Sequence, residues 1–266
     1  MKKVCLFTID PQVDFTSPSG SLFVPGADKD MERLSTMIKR LKSSINEIVV
    51  SCDSHRTIHI AHPIWWEDNL GNHPQPFTLI SEEDVIGINP KWKAFNPKYR
   101  ERSINYVKEL KKNGRYELYI WPPHCLIGST GATINSQLFE TLCNWESQFA
   151  CVDYIPKGSN IFTEHYSIFK ADVVDPEDIT TNLNTNLITL LITMDLIAIA
   201  GEAGSHCVCN SVKDLADNFG DENIKKLVFL EDCSSPVPGF EKVQEDFVKD
   251  MENRGMSVTT SDKFLL

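Results

Sequence analysis

The stretch VCLFTIDPQVDFTSPSGSLFVPGADKDMERLSTMIKRLKSSINEIVVSCD, residues 4–53, decides the fold. It opens with an apolar run, Val4 to Ile9, stopped by Asp10-Pro11. Between Asp28 and Ser43, Met31, Leu34, Met37, Ile38 and Leu41 recur at i, i+3, i+4 spacing, the period of a helix with one buried face. A second apolar run, EIVVS at 47–51, follows and is stopped by Asp53. These runs lack clean apolar–polar alternation, as expected for strands covered on both faces. Strand alternating with helix means a parallel α/β sheet between helical layers.

The same rhythm continues outward. Further strand-like runs lie at Tyr116 to Ile120, Ala150 to Ile155, Leu196 to Ala200, Lys226 to Leu230 and Ser257 to Thr260. Helical spacing recurs over Tyr99 to Asn113, Thr133 to Trp145, Ser205 to Phe219 and Phe240 to Asn253. No repeat or linker interrupts the pattern, so residues 1–266 read as one domain. Residues 63–115 are its least regular part. They carry Pro63, Pro74, Pro76, Pro90 and Pro97 and read as an insertion between two strands.

Composition narrows the function classes. The chain has 266 residues, 41% hydrophobic and 24% charged, which excludes wholesale disorder. Its net charge of −11 repels phosphate backbones and argues against nucleic-acid binding. The most apolar stretch, Leu187 to Ala200, is broken by Asp195 and is too short to span a bilayer. The basic start MKK leads into an apolar run that ends at Asp10, unlike a signal peptide. The eight cysteines form no CxxC pair and no dense framework, which points to a reduced, cytoplasmic setting. Cys5, Cys52 and Cys151 lie in strand-like runs and read as core residues.

In an open parallel sheet the ligand site lies at the carboxyl ends of the strands. The polar residues there are Asp10, Asp53, His55, His124, Lys157 and the segment Glu202 to Cys207. Cys207 follows a strand and a Gly-Glu-Ala-Gly-Ser turn, which places it in the first turn of a helix. The helix dipole there favours thiolate, and free backbone N–H groups can hold an oxyanion. The alternative is a small buried hydrophobe. Asp10 as base and Lys157 as cation, from separate strands, would make a nucleophile constellation with Cys207. Alternatively, Asp10 caps a loop and Lys157 sits in a solvated turn. Asp53 and His55, two apart on an extended chain, share a face. With His124 they offer two imidazoles and a carboxylate, a set that suits Zn, Fe or Mn. Four of the seven histidines, His55, His59, His62 and His73, crowd into one segment, and His59 is the first choice for a fourth ligand. The alternative is a histidine cluster holding no ion.

Taken together, these motifs resemble the isochorismatase-like cysteine hydrolases, and within them the nicotinamidases. TIDPQVDFTSPSGSLFVPGA is similar to that family's D-x-Q-x-D-F segment and the turn after it. SCDSHRTIHIAHP is similar to its D-x-H-x-x-x-H metal segment, and WPPHC to its W-P-x-H-C motif. IPKGSNIFTEHYSIF and AIAGEAGSHCVCNSVKDLADNFG resemble its lysine and nucleophile segments. The five segments keep the family's order from residue 8 to about 220.

The resemblance implies a six-stranded, mostly parallel sheet in a three-layer α/β/α fold, usually oligomeric. It makes Cys207 the nucleophile, Asp10 its base and Lys157 the third member. Asp53, His55 and His124 become the ligands of one divalent metal ion, zinc foremost, with iron or manganese as alternatives. Phe15 and Trp121 would line the substrate ring. A cis peptide would fall at Glu202-Ala203, and the N–H groups of Ala203 and Cys207 would form an oxyanion hole.

The implied activity is hydrolysis of nicotinamide to nicotinate and ammonia through a thioester. The alternatives are a related hydrolase of another small amide or larger substrate, or a non-catalytic small-molecule binder. The chain departs from the family in its long 63–115 segment, in Ser54 where an aromatic residue is common, in His62 where a Phe is usual, and in Ser205 where an Asp is common. The metal motif argues against isochorismatase itself, whose relatives lack those ligands. Trp65 and Trp66, only ten residues beyond His55, are expected to pack near the pocket and make the insertion a lid. Its aromatics Trp65, Trp66, Phe77 and Trp92 all need cover.

Overall fold

The computed structural model describes residues 2–266. Its strands are β1 (Val4–Ile9), β2 (Glu47–Asp53), β3 (Trp66–Glu67), β4 (Leu79–Ile80), β5 (Lys93–Ala94), β6 (Leu118–Tyr119), β7 (Val152–Lys157), β8 (Leu196–Gly201), β9 (Leu227–Leu230) and β10 (Ser257–Thr259). Its helices are α1 (Val13–Thr16), α2 (Ala27–Arg40), α3 (Glu82–Val85), α4 (Arg100–Asn113), α5 (Ser136–Glu146), α6 (Thr185–Ile192), α7 (Cys209–Phe219), α8 (Asp221–Ile224) and α9 (Glu241–Arg254). Six strands form one sheet in the order β10-β9-β8-β1-β2-β7. Every pairing in it is parallel. This is the expected three-layer α/β/α architecture. No helix among the described residues is long and apolar enough to cross a membrane.

Period two explains the layers. Within β1, Val4 and Leu6 face a core shared with Met31, Leu34 and Ile38 of α2 and Leu138, Leu142 and Trp145 of α5. Cys5, Phe7 and Ile9 face the opposite core, with Leu215 and Phe219 of α7 and Phe247 and Met251 of α9. All six β1 residues are buried, so the run is apolar throughout rather than alternating. α2 carries acids in its first turn (Asp28, Asp30) and bases in its last (Lys39, Arg40), matching the helix dipole. α5 begins where the Asn135 side chain accepts from the backbone N–H groups of Gln137 and Leu138.

Two expectations do not hold, and one helix was not expected. The Tyr116 to Ile120 run does not join the main sheet. Leu118 and Tyr119 pair antiparallel with Ile80 and Leu79, because β7 already occupies the free edge of β2. The strand expected at Leu196 to Ala200 is β8, while α6 ahead of it was not among the expected helices. Cys151 is exposed rather than in the core, whereas Cys5 is buried and Cys52 half-buried.

Residues 63–115 hold the β3–β5 ladder, α3, α4 and strand β4, whose partner β6 lies just beyond them. Trp65 stacks on Tyr99 at 5.3 Å and donates from its indole N–H to Ser103. The Trp66 indole donates to the Ile60 carbonyl. Both are buried within this segment and neither lines the cavity described below, against the expectation of a lid. They sit inside because each N–H needs a partner, which Ser103 within the segment and Ile60 just before it supply. Phe77 is half-exposed, so not every aromatic here is covered. The segment braces the pocket wall from behind: the Phe77 N–H donates to the Ile120 carbonyl, and the Phe77 ring meets Trp121 edge-on.

Candidate functional site

Four adjacent strands, β8, β1, β2 and β7, end beside one another. The register pairs Ile9 with Gly201 and Asp53 with Lys157. Asp10, Asp53, Lys157 and the 202–208 turn therefore emerge at one edge. All of the sequence-designated polar residues gather there, and all are buried.

Lys157 Nζ lies 2.8 Å from Asp10 Oδ2, 3.2 Å from Asp53 Oδ1, 3.6 Å from Cys207 Sγ and 2.9 Å from the His165 carbonyl. It is not a solvated turn residue. An ammonium this deep requires negative partners. Burial works against its charge, but Asp10 and Asp53 hold its pKa well above the usual lysine range. Asp10 accepts from the Ser51 hydroxyl at 2.6 Å, while its own N–H donates to the same oxygen at 3.0 Å. Burial pushes the Asp10 carboxyl up, with Lys157 opposing.

Cys207 sits in a π-helical turn, Gly204–Val208, ahead of α7 rather than in an α-helical first turn. Burial pushes its thiol well up and Lys157 opposes that, so a thiol rather than a resting thiolate faces Asp10. The Glu202-Ala203 peptide is cis. The Ala203 N–H has no hydrogen-bond partner among the described residues.

The second half of the site starts from the segment 10–16. The Gln12 side chain clamps the backbone of Asp53: its Oε1 accepts from the Asp53 N–H at 2.6 Å and its Nε2 donates to the Asp53 carbonyl at 2.7 Å. Asp14 Oδ2 accepts from the Cys125 N–H at 2.7 Å, fixing the residue after His124. These two side chains explain the D-x-Q-x-D spacing. Gly158, at φ 77°, lies so close that a Cβ there would meet Asp53 Oδ1 at 2.6 Å and the His55 ring.

Asp53, His55 and His124 fit a metal ion. His55 Nδ1 faces the Gly158 carbonyl at 3.1 Å, and His124 Nδ1 faces the Pro122 carbonyl at 2.8 Å. A carbonyl can only accept, so each Nδ1 carries the hydrogen and each Nε2 presents a lone pair. Those lone pairs point at Asp53 Oδ2, 2.9 and 3.3 Å away. Two lone pairs and a carboxylate in a buried site need a cation between them. Without one a proton takes its place. Burial would lower the His55 pKa, but Asp53 outweighs it and pushes it up to about 9.

His59 does not fit as the fourth ligand, although it lies near His55 and Glu164. Its Nε2 donates to the Thr163 carbonyl at 3.1 Å and its Nδ1 accepts from the Ala61 N–H at 3.2 Å, so its lone pair is spent. Glu164 offers a buried, unpartnered Oε2 instead, with its Oε1 3.8 Å from His55 Nε2.

A cavity joins the two halves. It is lined by Phe15, Leu22, Val24, Asp53, Trp121, His124, Glu164, Tyr166, Ala203, His206, Cys207 and Val237. Phe15 and Trp121 are both in its wall. Glu164, Tyr166 and His206 were missed, although all three lie inside the quoted segments. The Trp121 indole donates to the Tyr166 hydroxyl at 2.8 Å. Ser205 Oγ accepts from the Val237 N–H at 3.0 Å and shares a hydrogen bond with His206 Nδ1 at 2.9 Å. Burial lowers the His206 pKa to about 4, so the ring is neutral at pH 7.

No protein-family model matches the chain, and no curated protein matches it by sequence. Solved structures do match. A nicotinamidase/pyrazinamidase of Acinetobacter baumanii is 20% identical over 100% of this chain and 99% of its own, with a TM-score of 0.66. The yeast nicotinamidase bound to the inhibitor nicotinaldehyde is 18% identical over 97% and 99%, with a TM-score of 0.67. A Pyrococcus horikoshii pyrazinamidase in complex with zinc is 19% identical over 97% and 99%, with a TM-score of 0.58. The chain has the α/β fold of the isochorismatase-like cysteine hydrolases. Within that class, its structural neighbours are nicotinamidases and pyrazinamidases, aligned along essentially their whole length.

Proposed function

We propose that this protein is a metal-containing cysteine amidohydrolase acting on a small aromatic amide, with nicotinamide as the leading substrate. The observation that carries the reading is the convergence of Asp10, Lys157 and Cys207 at a cavity walled by Phe15, Trp121 and Tyr166. Asp10 accepts the Cys207 proton as sulfur attacks the amide carbon. The tetrahedral oxyanion forms toward the N–H groups of Ala203 and Cys207. Asp10 returns the proton to the departing nitrogen, ammonia leaves, and a thioester remains. A water, deprotonated by Asp10, then attacks the thioester and releases the acid and the thiol. Lys157 favours the carboxylate form of Asp10 before each proton transfer and holds it in place. Phe15 and Trp121 orient the ring.

Asp53, His55 and His124 would hold one divalent ion, with zinc favoured by the donor set. When bound, that ion supplies a positive anchor for the pyridine nitrogen or its water. The reading takes residues 1–266 as one hydrolase domain with 63–115 inserted, in a self-associating cytoplasmic protein. Eight cysteines, all free, support the reduced setting. The test is ammonia release over a panel of nicotinamide, pyrazinamide and aliphatic amides. Aromatic amides should be turned over and aliphatic ones left. No turnover of any amide by metal-loaded protein refutes the reading.

A further inference from the structure

Behind the cavity, at the end of β8, a second acid is buried. Glu202 is fully buried and immediately precedes Ala203. Its Oε2 accepts from the Ser235 N–H at 3.2 Å, and its buried Oε1 accepts from no donor among the described residues. The side chain lies in hydrogen-bond contact with Asp30 of α2. Asp30 in turn accepts from the Ser235 hydroxyl at 2.6 Å and pairs with the Arg33 guanidinium.

Two carboxyl groups in contact in a buried site cannot both be charged. Arg33 stands beside Asp30, so Asp30 is the ionised member. Glu202 is then the acid, and its O–H donates to Asp30. Burial first, and then the Asp30 charge, push the Glu202 pKa well above the usual carboxylate range. The groups facing Glu202 are Asp30 and Arg33 from α2 and the Ser235 backbone from the 232–237 loop. The same loop accepts from the Gly204 N–H through the Ser235 carbonyl, and it carries Val237 of the cavity wall. Glu202 thus ties three elements together one residue from an unpartnered N–H. No proton transfer of the proposed reaction uses it.

We infer that Glu202 is a positioning residue: as a neutral acid bonded to Asp30 and Ser235, it holds the Ala203 N–H in place to receive an oxyanion. This rests on the amidohydrolase reading, but its test does not need amide turnover. Pyridine-3-carbaldehyde is the probe. The Cys207 sulfur adds to its carbonyl carbon, the C=O electron pair moves to oxygen, and that oxygen takes up the thiol proton or stays anionic against the N–H. Capture is measured by titration and intact mass.

Glu202→Val should weaken aldehyde capture by about tenfold or more, since a lost oxyanion donor costs about 10²–10³ in rate and a displaced one less. In the amide assay, kcat should fall by a similar factor with KM little changed. Glu202→Gln, which keeps a donor toward Asp30 and an acceptor for Ser235, should stay within about threefold of wild type, a small part of that loss. A purely structural role would lower the melting temperature without separating kcat from KM. If Glu202→Val does not fold, Asp30→Ala, which removes the acceptor from outside the cavity, should weaken capture in the same direction.

A folded Glu202→Val or Asp30→Ala with unchanged capture overturns the inference. So does a Glu202→Gln variant as impaired as Glu202→Val, or a wild-type protein that captures no aldehyde. Aldehyde capture without any amide turnover would instead sink only the amidohydrolase reading.

Discussion

Gly201→Ala should damage both fold and site, and the structure sets the size. Gly201 ends β8 opposite Ile9, the residue before Asp10, and has φ 110°. A Cβ there would run into the Ile9 carbonyl oxygen and approach the Ile9 nitrogen to 2.6 Å. Both are backbone atoms inside the sheet and cannot swing aside. The Ile9 carbonyl also accepts from the Glu202 N–H at 2.8 Å, so any retreat breaks that bond. Positive φ for a residue with a Cβ costs about 1–2 kcal/mol, and forcing atoms into a packed interior costs about 1–3 kcal/mol. The sum is about 2–5 kcal/mol, a large share of a typical domain's stability of about 5–15 kcal/mol. Because the displaced segments carry Asp10 and Ala203, activity should fall beyond what the unfolded fraction explains. The assay is urea unfolding at pH 7 alongside kcat measured well below the midpoint. Gly204→Ala is the control: its Cβ would meet the flexible end of Gln244 at an ordinary φ, so it should cost far less. A Gly201→Ala protein within 1 kcal/mol of wild type and with unchanged kcat would refute the steric argument.

Cys207→Ala should abolish amide hydrolysis and leave the melting curve close to wild type, whereas Cys209→Ser should keep activity; residual turnover near the wild-type rate in the first variant would remove Cys207 as nucleophile. Gently purified protein should hold one divalent ion per chain, and His124→Ala should hold measurably less by elemental analysis; equal content would strike His124 from the ligand set. Trp66→Ala should cost about 3–5 kcal/mol, as large-to-small core changes do, yet leave the ranking of amide substrates unchanged; a reordered ranking would put Trp66 back at the pocket. His206 is neutral in the fold with its pKa lowered to about 4, so it contributes stability that is present above its unfolded value of about 6.5 and lost as pH falls through about 4. Unfolding at stepped pH should show that loss shrink in His206→Gln, and identical profiles would deny His206 a part in acid sensitivity.

What was legible in the sequence was whatever hangs on strand ends. Asp10, Asp53, Lys157 and Cys207 each follow an apolar run that stops abruptly, and a parallel sheet delivers such residues to one edge whatever the register. The grouping of Asp53 with His55 was legible because two residues of extended chain fix one to the other. What failed depended on partners remote in sequence. Tyr116 to Ile120 has strand composition, but whether it joins the main sheet is decided by β7 taking the free edge of β2. Trp65 and Trp66 were placed by distance along the chain from His55, when the positions of hydrogen-bond acceptors, Ser103 and the Ile60 carbonyl, decide where an indole sits. His59 has the right spacing for a ligand, yet the Ala61 N–H and the Thr163 carbonyl occupy both of its nitrogens. The same reasoning gives Glu202 its weight. The sequence places Glu202 only among the polar residues at the strand ends, and the burial of Glu202 itself beside Asp30 turns that charge into a proton held in place. Spacing therefore nominates the residues of this site, and the state of each lone pair and proton decides which of them can act.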